Sequence, residues 1–366
     1  MQHVIVLGAG ASKADGAPLQ FDLFSDYFKA EKSNLGAAHN VELREFFRVF
    51  YGIDVASVDK QTEFPSFEDA LGTLELAISR NEEFRICREA GDPDLWDQHR
   101  IERCREHVVS LICTVLAKKL GVRGTGGQWH NRLVQNLPRT GNVSFISFNY
   151  DLLIDNAIGN QGRRFDYGTI FANPFPKAEE PVGLYKLHGS LNWLRCPICG
   201  GLTQTGDVKG GAYPLDERPK CALAICGANT HHFVIPPTFF KVMSDFHLQQ
   251  IWHQAERRLR AADCIYFCGY SLPDADMHVR YLLKRAEVNR TTAPQVFVVS
   301  NHAGKKDDDR RRERQRYLRQ FRDASKVVFT KWSFEDFASD PLGMATKPRA
   351  EVEWMPAAPK AAEAAG

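Results

Sequence analysis

The first twelve residues constrain this chain more than any other stretch. Val4-Ile5-Val6-Leu7 is an unbroken apolar run, and Gly8-Ala9-Gly10-Ala11-Ser12 follows with no spacer. Strands covered on both faces, as in parallel sheets, read as continuous apolar runs rather than as alternation. A strand that enters Gly-x-Gly and then a helix is how doubly wound folds bring backbone N–H groups up to a pyrophosphate. Gly8, Ala9, Gly10, Ala11 and Ser12 are therefore candidate nucleotide-binding residues, and Ser12 adds a hydroxyl donor. The same small residues suit any tight strand-to-helix turn, so the motif alone leaves both readings open. It argues against an ordinary dehydrogenase, because the third glycine of Gly-x-Gly-x-x-Gly is Lys13 here and no clean acidic strand end follows about 20 residues on.

The pattern of an apolar run ending in polar residues returns four times. Val143 to Phe148 precedes Asn149-Tyr150-Asp151, and Gly183 to Leu187 precedes His188-Gly189-Ser190. Asp263 to Cys268 precedes Gly269-Tyr270-Ser271, and Gln295 to Val299 precedes Ser300-Asn301. Helical patterns over about 246–261 and 276–286 separate them, and Val327-Val328-Phe329 reads as a last short strand. Open parallel sheets place ligands at the C-terminal ends of their strands. Five polar loops gathered at such ends are hard to explain by packing alone. Between the first and second strands, residues 20–140 show apolar residues at helical spacing, from Leu23, Phe24, Tyr27 and Phe28 to Val108, Leu111, Ile112 and Val115. Ser66 followed by Asp69 marks a helix start within that region. The reading is an α/β doubly wound parallel sheet with a large helical insertion.

The 366 residues suffice for one large or two ordinary domains. A net charge of +2 gives no reason to expect direct nucleic-acid binding. No run of 18 apolar residues occurs, so no membrane span is expected. No signal-peptide pattern opens the chain, and nine cysteines without an export signal suggest reduced thiols in the cytoplasm. The charged run from Lys305 to Arg319 reads as a solvated helix or loop, and the Ala/Pro/Glu-rich residues 345–366 as a disordered tail. Cys196-x2-Cys199 and Cys221-x4-Cys226, 21 residues apart, form a candidate zinc ribbon within a small module at 195–230. The second pair is wider than usual, and His231 or His232 could replace one ligand. Four thiolates would leave no open position, so such a zinc would be structural. Cys87, Cys104, Cys113, Cys264 and Cys268 sit in apolar patterns and read as core.

The five loops together resemble those of sirtuins. Gly8-Ala9-Gly10-Ala11-Ser12 is similar to the sirtuin Gly-Ala-Gly-x-Ser loop, and Phe148-Asn149-Tyr150-Asp151 to the Gln-Asn-x-Asp element. His188-Gly189 resembles the catalytic His-Gly, Gly269-Tyr270-Ser271-Leu272 the Gly-Thr-Ser-Leu loop, and Ser300-Asn301 the late Asn that meets the adenosine ribose. The likeness spans about residues 1–335 and is nearer to the bacterial sirtuin-like branch, several members of which destroy NAD in anti-phage defence. It implies a sirtuin-type catalytic domain over residues 1–344, with NAD as substrate and a structural zinc. It also implies Asn149, Asp151 and His188 as catalytic residues, and Gly8 to Ser12, Pro18, Gly269, Ser271, Ser300 and Asn301 as NAD-binding ones. One stretch departs from protein-deacylating members. Where they carry Gly-Ile-Pro-Asp-Phe-Arg, this chain has Gly16-Ala17-Pro18-Leu19-Gln20-Phe21, without the Asp and Arg that hold the nicotinamide end and keep water away. The expected activity is therefore NAD+ glycohydrolysis by a toxic effector of prokaryotic immunity. The alternatives are an NAD-dependent protein deacylase and a non-catalytic nucleotide sensor. With no separate sensor domain in view, control is expected from a partner protein or from homo-oligomer assembly.

Overall fold

The computed structural model describes residues 1–19, 22–30, 38–59, 61–87, 94–120, 127–139, 141–172, 181–205, 219–223, 225–235, 245–274, 276–300 and 305–354. The chain opens with β1 (His3–Leu7) and α1 (Ala9–Ala14). It then leaves the sheet through α2 (Leu23–Ala30), α3 (Ala38–Tyr51), α4 (Phe67–Arg80), the ribbon of β2 (Phe84–Ile86) and β3 (Asp94–Trp96), and α5 (Gln98–Leu120). It returns through α6 (Gln128–Gln135), β4 (Val143–Ser147), α7 (Leu153–Asn160), β5 (Phe165–Asp166) and β6 (Val182–Lys186). A small antiparallel sheet follows, made of β7 (Gly189–Arg195), β8 (Leu202–Gln204) and β9 (His231–Val234). The remaining elements are α8 (Phe246–Ala261), β10 (Cys264–Cys268), α9 (Met277–Val288), β11 (Gln295–Val299), α10 (Asp307–Gln320), β12 (Val327–Phe329), α11 (Phe334–Ser339) and α12 (Arg349–Val352).

The main sheet has seven parallel strands in the order β12-β11-β10-β1-β4-β6-β5. Every residue of β1, β4, β6 and β10 is buried, which is why those strands show as unbroken apolar runs. Helices α1, α6, α7 and α11 pack as one layer and α8, α9 and α10 as another, so the sheet is doubly wound. Strand order reverses at β1: the chain builds β4, β5 and β6 on one side and β10, β11 and β12 on the other. The crevice at such a switch point is where an open α/β sheet binds its ligand. Here it lies between the loop after β1 and the loop after β10, both of them glycine loops.

The insertion has a hydrophobic core of its own, around Phe24, Phe28, Phe46, Phe47, Leu71, Leu74 and Trp96. Ser66 and Asp69 form the expected capping box at the start of α4. Glu42 ties α3 to α5: burial pushes its carboxyl up, but hydrogen bonds from His107 and Arg103 outweigh that and bring it down to about 2. Leu191 and Val234 from the small sheet join this core, and Arg105 of α5 donates to the Val234 carbonyl at 3.1 Å. The insertion therefore leans on the strands that flank His188.

The structure moves three expected boundaries. Helix α6, placed by the sequence inside the 20–140 insertion, instead supplies Leu133 and Val134 to the core of the main sheet. Asp15 anchors it there, accepting from the Trp129 and His130 amides and lying 2.6 Å from His130 Nδ1. The small module at 195–230 is the middle of a sheet that begins at Gly189 and ends at Val234. Residues 345–354, expected as the start of a disordered tail, fold back on the sheet edge: Lys331 donates to the Val352 carbonyl and Trp354 to that of Phe329, with Arg310 over the Trp354 ring. The rest of that tail lies outside the described residues. Cys87 is a fourth correction, exposed rather than core, whereas Cys104, Cys113, Cys264 and Cys268 are buried.

Candidate functional site

Because the seven strands are parallel, the loops after β1, β4, β6, β10 and β11 all leave at one end of the sheet. The two glycine loops interlock there. Gly8 donates to the Cys268 carbonyl at 3.0 Å and Gly10 to that of Gly269 at 2.9 Å. A Cβ on Gly8 would sit 2.7 Å from Gly269 O, and one on Gly10 2.8 Å from Gly269 Cα. Gly269 has φ +62°, and a Cβ there would run into the Ala11 amide. Glycine is thus demanded by the approach of the two backbones. Gly269→Ala is expected to lower stability by at least about 2 kcal/mol, measured by chemical denaturation, since it adds left-handed strain to a backbone clash. Stability equal to wild type would show that the loops can part without cost.

Ser12 and the turn after β4 close the floor of this crevice. Ser12 is buried, and its hydroxyl donates to Asp151 Oδ2 at 2.6 Å. Asn149 Nδ2 donates to Ser12 Oγ at 2.8 Å and to the Gly8 carbonyl at 2.9 Å. Asp151 Oδ1 also accepts from the Leu153 amide at 3.0 Å, in the manner of a helix cap. The Ser12 proton goes to Asp151 here, and the Asp151 carboxylate accepts from both Ser12 and the start of α7. Asn149 Oδ1 has no hydrogen-bond partner among the described residues, and it can accept from a ribose hydroxyl or a water.

His188 follows β6, directly beside β4, and the Leu187 amide donates to the Ser147 carbonyl at 3.0 Å. The imidazole is buried at 3% exposure, with ring centroids 5.3 Å from Phe148 and 6.3 Å from Tyr150. Its Nε2 lies 3.8 Å from Asp276 Oδ1, and Asp276 Oδ2 accepts from Tyr270 OH at 2.7 Å. Tyr270 in turn stacks on Phe148 at 4.3 Å. Asp276 and Tyr270 were not among the residues expected to act. The available signal was a carboxylate shortly after a Pro-containing turn, 88 residues beyond the histidine that it meets.

The loop after β10 is held under strain. Leu272 is buried with φ +51°, and Arg280 fixes it by donating to the Leu272 carbonyl at 2.8 Å and to Asp274 at 2.7 Å. Such conformations persist where surroundings over-determine them, and they gather at ligand sites. Ser271 is exposed, and Arg316 donates to its carbonyl. Ser300 sits at the end of β11, where its hydroxyl donates to the buried Glu313 at 3.3 Å. Pro18 is half-buried beyond α1. Asn301 lies outside the described residues, as do Gln20 and Phe21.

At the far end of the small sheet, Cys196, Cys199, Cys221 and Cys226 have sulfurs within 4.8 Å of one another. The Cys196–Cys226 and Cys199–Cys221 separations are both 3.5 Å. A tetrahedral zinc with bonds of about 2.3 Å spaces its sulfurs about 3.8 Å apart, so the cluster fits and can hold one ion. The wider Cys221-x4-Cys226 spacing is accommodated, and neither His231 nor His232 belongs to the cluster. The amides of Cys199 and Ile198 draw the Cys196 thiol down, while the neighbouring thiols push Cys221 and Cys226 up.

A glycine-lined crevice at the switch point of a doubly wound sheet defines a nucleotide-binding α/β protein. The family is more particular: residues 143–322 match the SIR2-like domain, and this part of the chain is sirtuin-like. Among solved structures, the chain is similar to a sirtuin from work on substrate affinity, at 13% identity over 94% of this chain and 93% of that one, with a TM-score of 0.41. It is likewise similar to Sir2 in complex with an inhibitor, 2′-O-acetyl-ADP-ribose and a deacetylated peptide, at 13% identity over 94% of each chain and a TM-score of 0.40. A third is Sir2 with a peptide and NAD+, at 14% identity over 65% of this chain and 78% of that one, with a TM-score of 0.36. Likeness this loose carries no chemistry from those proteins to this one. None of the curated proteins compared matches the chain. No described helix is long and apolar enough to cross a membrane.

Proposed function

We propose that this protein is an NAD+ glycohydrolase that yields nicotinamide and ADP-ribose. The SIR2-like domain supports NAD+-dependent activity in general. The observation that favours an enzyme over a sensor is the buried His188 beside Asp276, itself held by Tyr270. A binding module has no need of a buried imidazole that faces a buried carboxylate. In the proposed reaction the bond from ribose carbon to nicotinamide nitrogen breaks, and nicotinamide leaves as a neutral molecule. A water adds to the electron-deficient carbon, and its proton passes to His188. Asn149 Oδ1 holds the water or a ribose hydroxyl. Asp151 acts through Ser12 as a positioning residue. Gly8 to Ser12 lie against the pyrophosphate, Pro18 near the nicotinamide end, and Gly269, Ser271, Ser300 and Asn301 along the adenosine half.

Hydrolysis is preferred to deacylation because the stretch from Gly16 to Phe21 lacks the Asp and Arg of protein-deacylating members. A cell can tolerate such an enzyme only while it is silent. The reading therefore includes a role as a toxic effector in prokaryotic antiviral defence, released by a partner protein or by assembly into a homo-oligomer. The four-cysteine cluster takes a structural zinc, which supplies a cross-link and no chemistry. The test is nicotinamide release from NAD+ by the activated protein, with and without an acetylated peptide. Equal release in both is expected. Release that requires the peptide would make the protein a deacylase, and no release with intact ADP-ribose binding would make it a sensor.

A further inference from the structure

Lys186 ends β6 with its side chain 0% exposed. Its ammonium donates to the Asp151 carbonyl at 2.5 Å and to Asp155 Oδ2 at 3.1 Å. Asp155 Oδ1 accepts from Tyr167 OH, and Gln204 reaches the same hydroxyl. A buried ion pair is a weak source of stability, because desolvation consumes much of the attraction, and an apolar residue of similar length would fill the strand position as well. What an apolar side chain cannot do is grip a main-chain carbonyl. That carbonyl belongs to the turn whose other contacts form the floor of the crevice: Asp151 to Ser12, Ser12 to Asn149, Asn149 to Gly8.

We infer that Lys186, itself held by Asp155 and Tyr167, is a positioning residue that fixes the Asn149–Asp151 turn against the first glycine loop. Its effect on turnover rests on the hydrolase reading, whereas its effect on the turn does not. Lys186→Met alone leaves Asp155 buried and unpaired and can fail to fold. The informative protein is Lys186→Met/Asp155→Asn, which has no buried charge and keeps an acceptor for Tyr167. In the full-length double variant, thermal stability is expected close to that of wild type. Amides 149–153 should exchange at least tenfold faster with deuterium, and those of β1 and β10 at the wild-type rate. With the activated protein, kcat for nicotinamide release should fall about 10–100-fold with KM for NAD+ within about threefold, since a misplacement near 1 Å costs that much. Unchanged exchange at 149–153, or kcat restored along with stability, would overturn the inference and reduce Lys186 to a packing residue. Faster exchange in the variant, with no nicotinamide released by activated wild type, would uphold the positioning and overturn the hydrolase reading instead.

Discussion

Replacing His188 by alanine should cut nicotinamide release by the activated protein about 10²–10⁴-fold, the usual cost of losing a general base. The imidazole lies at the end of β6, beside the strand that leads to Asn149, and the proposed reaction uses it as the base. Its Nε2 lies 3.8 Å from Asp276 Oδ1, longer than a direct hydrogen bond, and catalytic contacts of this kind often tighten only when substrate arrives. Asp276→Asn should give a smaller loss, because it leaves the imidazole in place and removes only the charge that favours its protonated form. Asn149→Ala should also be strongly impaired. The double variant with His188→Ala should be little worse than either alone, since residues that serve one step behave as a unit. Binding of ADP-ribose, followed by calorimetry, should survive in all of them if the glycine loops and the β10 and β11 ends carry most of its contacts. Release by His188→Ala at the wild-type rate would defeat the hydrolase mechanism.

The second large effect is on stability. Purified protein should carry about one equivalent of zinc, and Cys196→Ser should lower stability by roughly 5 kcal/mol or more, because the free energy of binding a structural zinc is folding free energy. The loss should spread beyond the cysteines. Trp193 of β7 packs on Tyr167 and Phe171 with ring centroids 4.8 and 5.6 Å away, and the Ile235 amide just beyond β9 donates to the His188 carbonyl at 2.9 Å. A loosened small sheet should therefore disturb Trp193 fluorescence and catalysis together. Metal-free protein with an unchanged denaturation midpoint would rule out a structural zinc.

Part of this was legible before any coordinates. Val4 to Leu7, Val143 to Phe148 and Asp263 to Cys268 declared themselves as strands because burial on both faces leaves no room for polar alternation. Polar residues at the ends of such runs marked the loops that leave one end of the sheet, and the pairing of cysteines marked the four-sulfur cluster. Short or bulged elements escaped. β5 has two residues, and β7 meets β9 across a register shift that blurs any period. The tail residues 345–354 escaped because their composition is that of disorder, and only their pairing with the edge of the sheet orders them.

The class of sheet, the five loops that leave its carboxyl end and the thiols able to take a metal were all legible in the order of the residues. Each of these is written in residues that are neighbours along the chain. Which partners the polar side chains meet emerged from the folded arrangement alone. A carboxylate at position 151 reads equally as a ligand or as a cap, and only the fold reveals that it accepts from Ser12 across 139 residues of chain. Lys186 reaches the Asp151 carbonyl because β6 lies beside β4, and Asp276 meets His188 across β1 and β4, the two strands that separate β10 from β6. A buried polar group must find a partner or lose free energy, and which partner it finds depends on the order of the strands, not on the order of the residues.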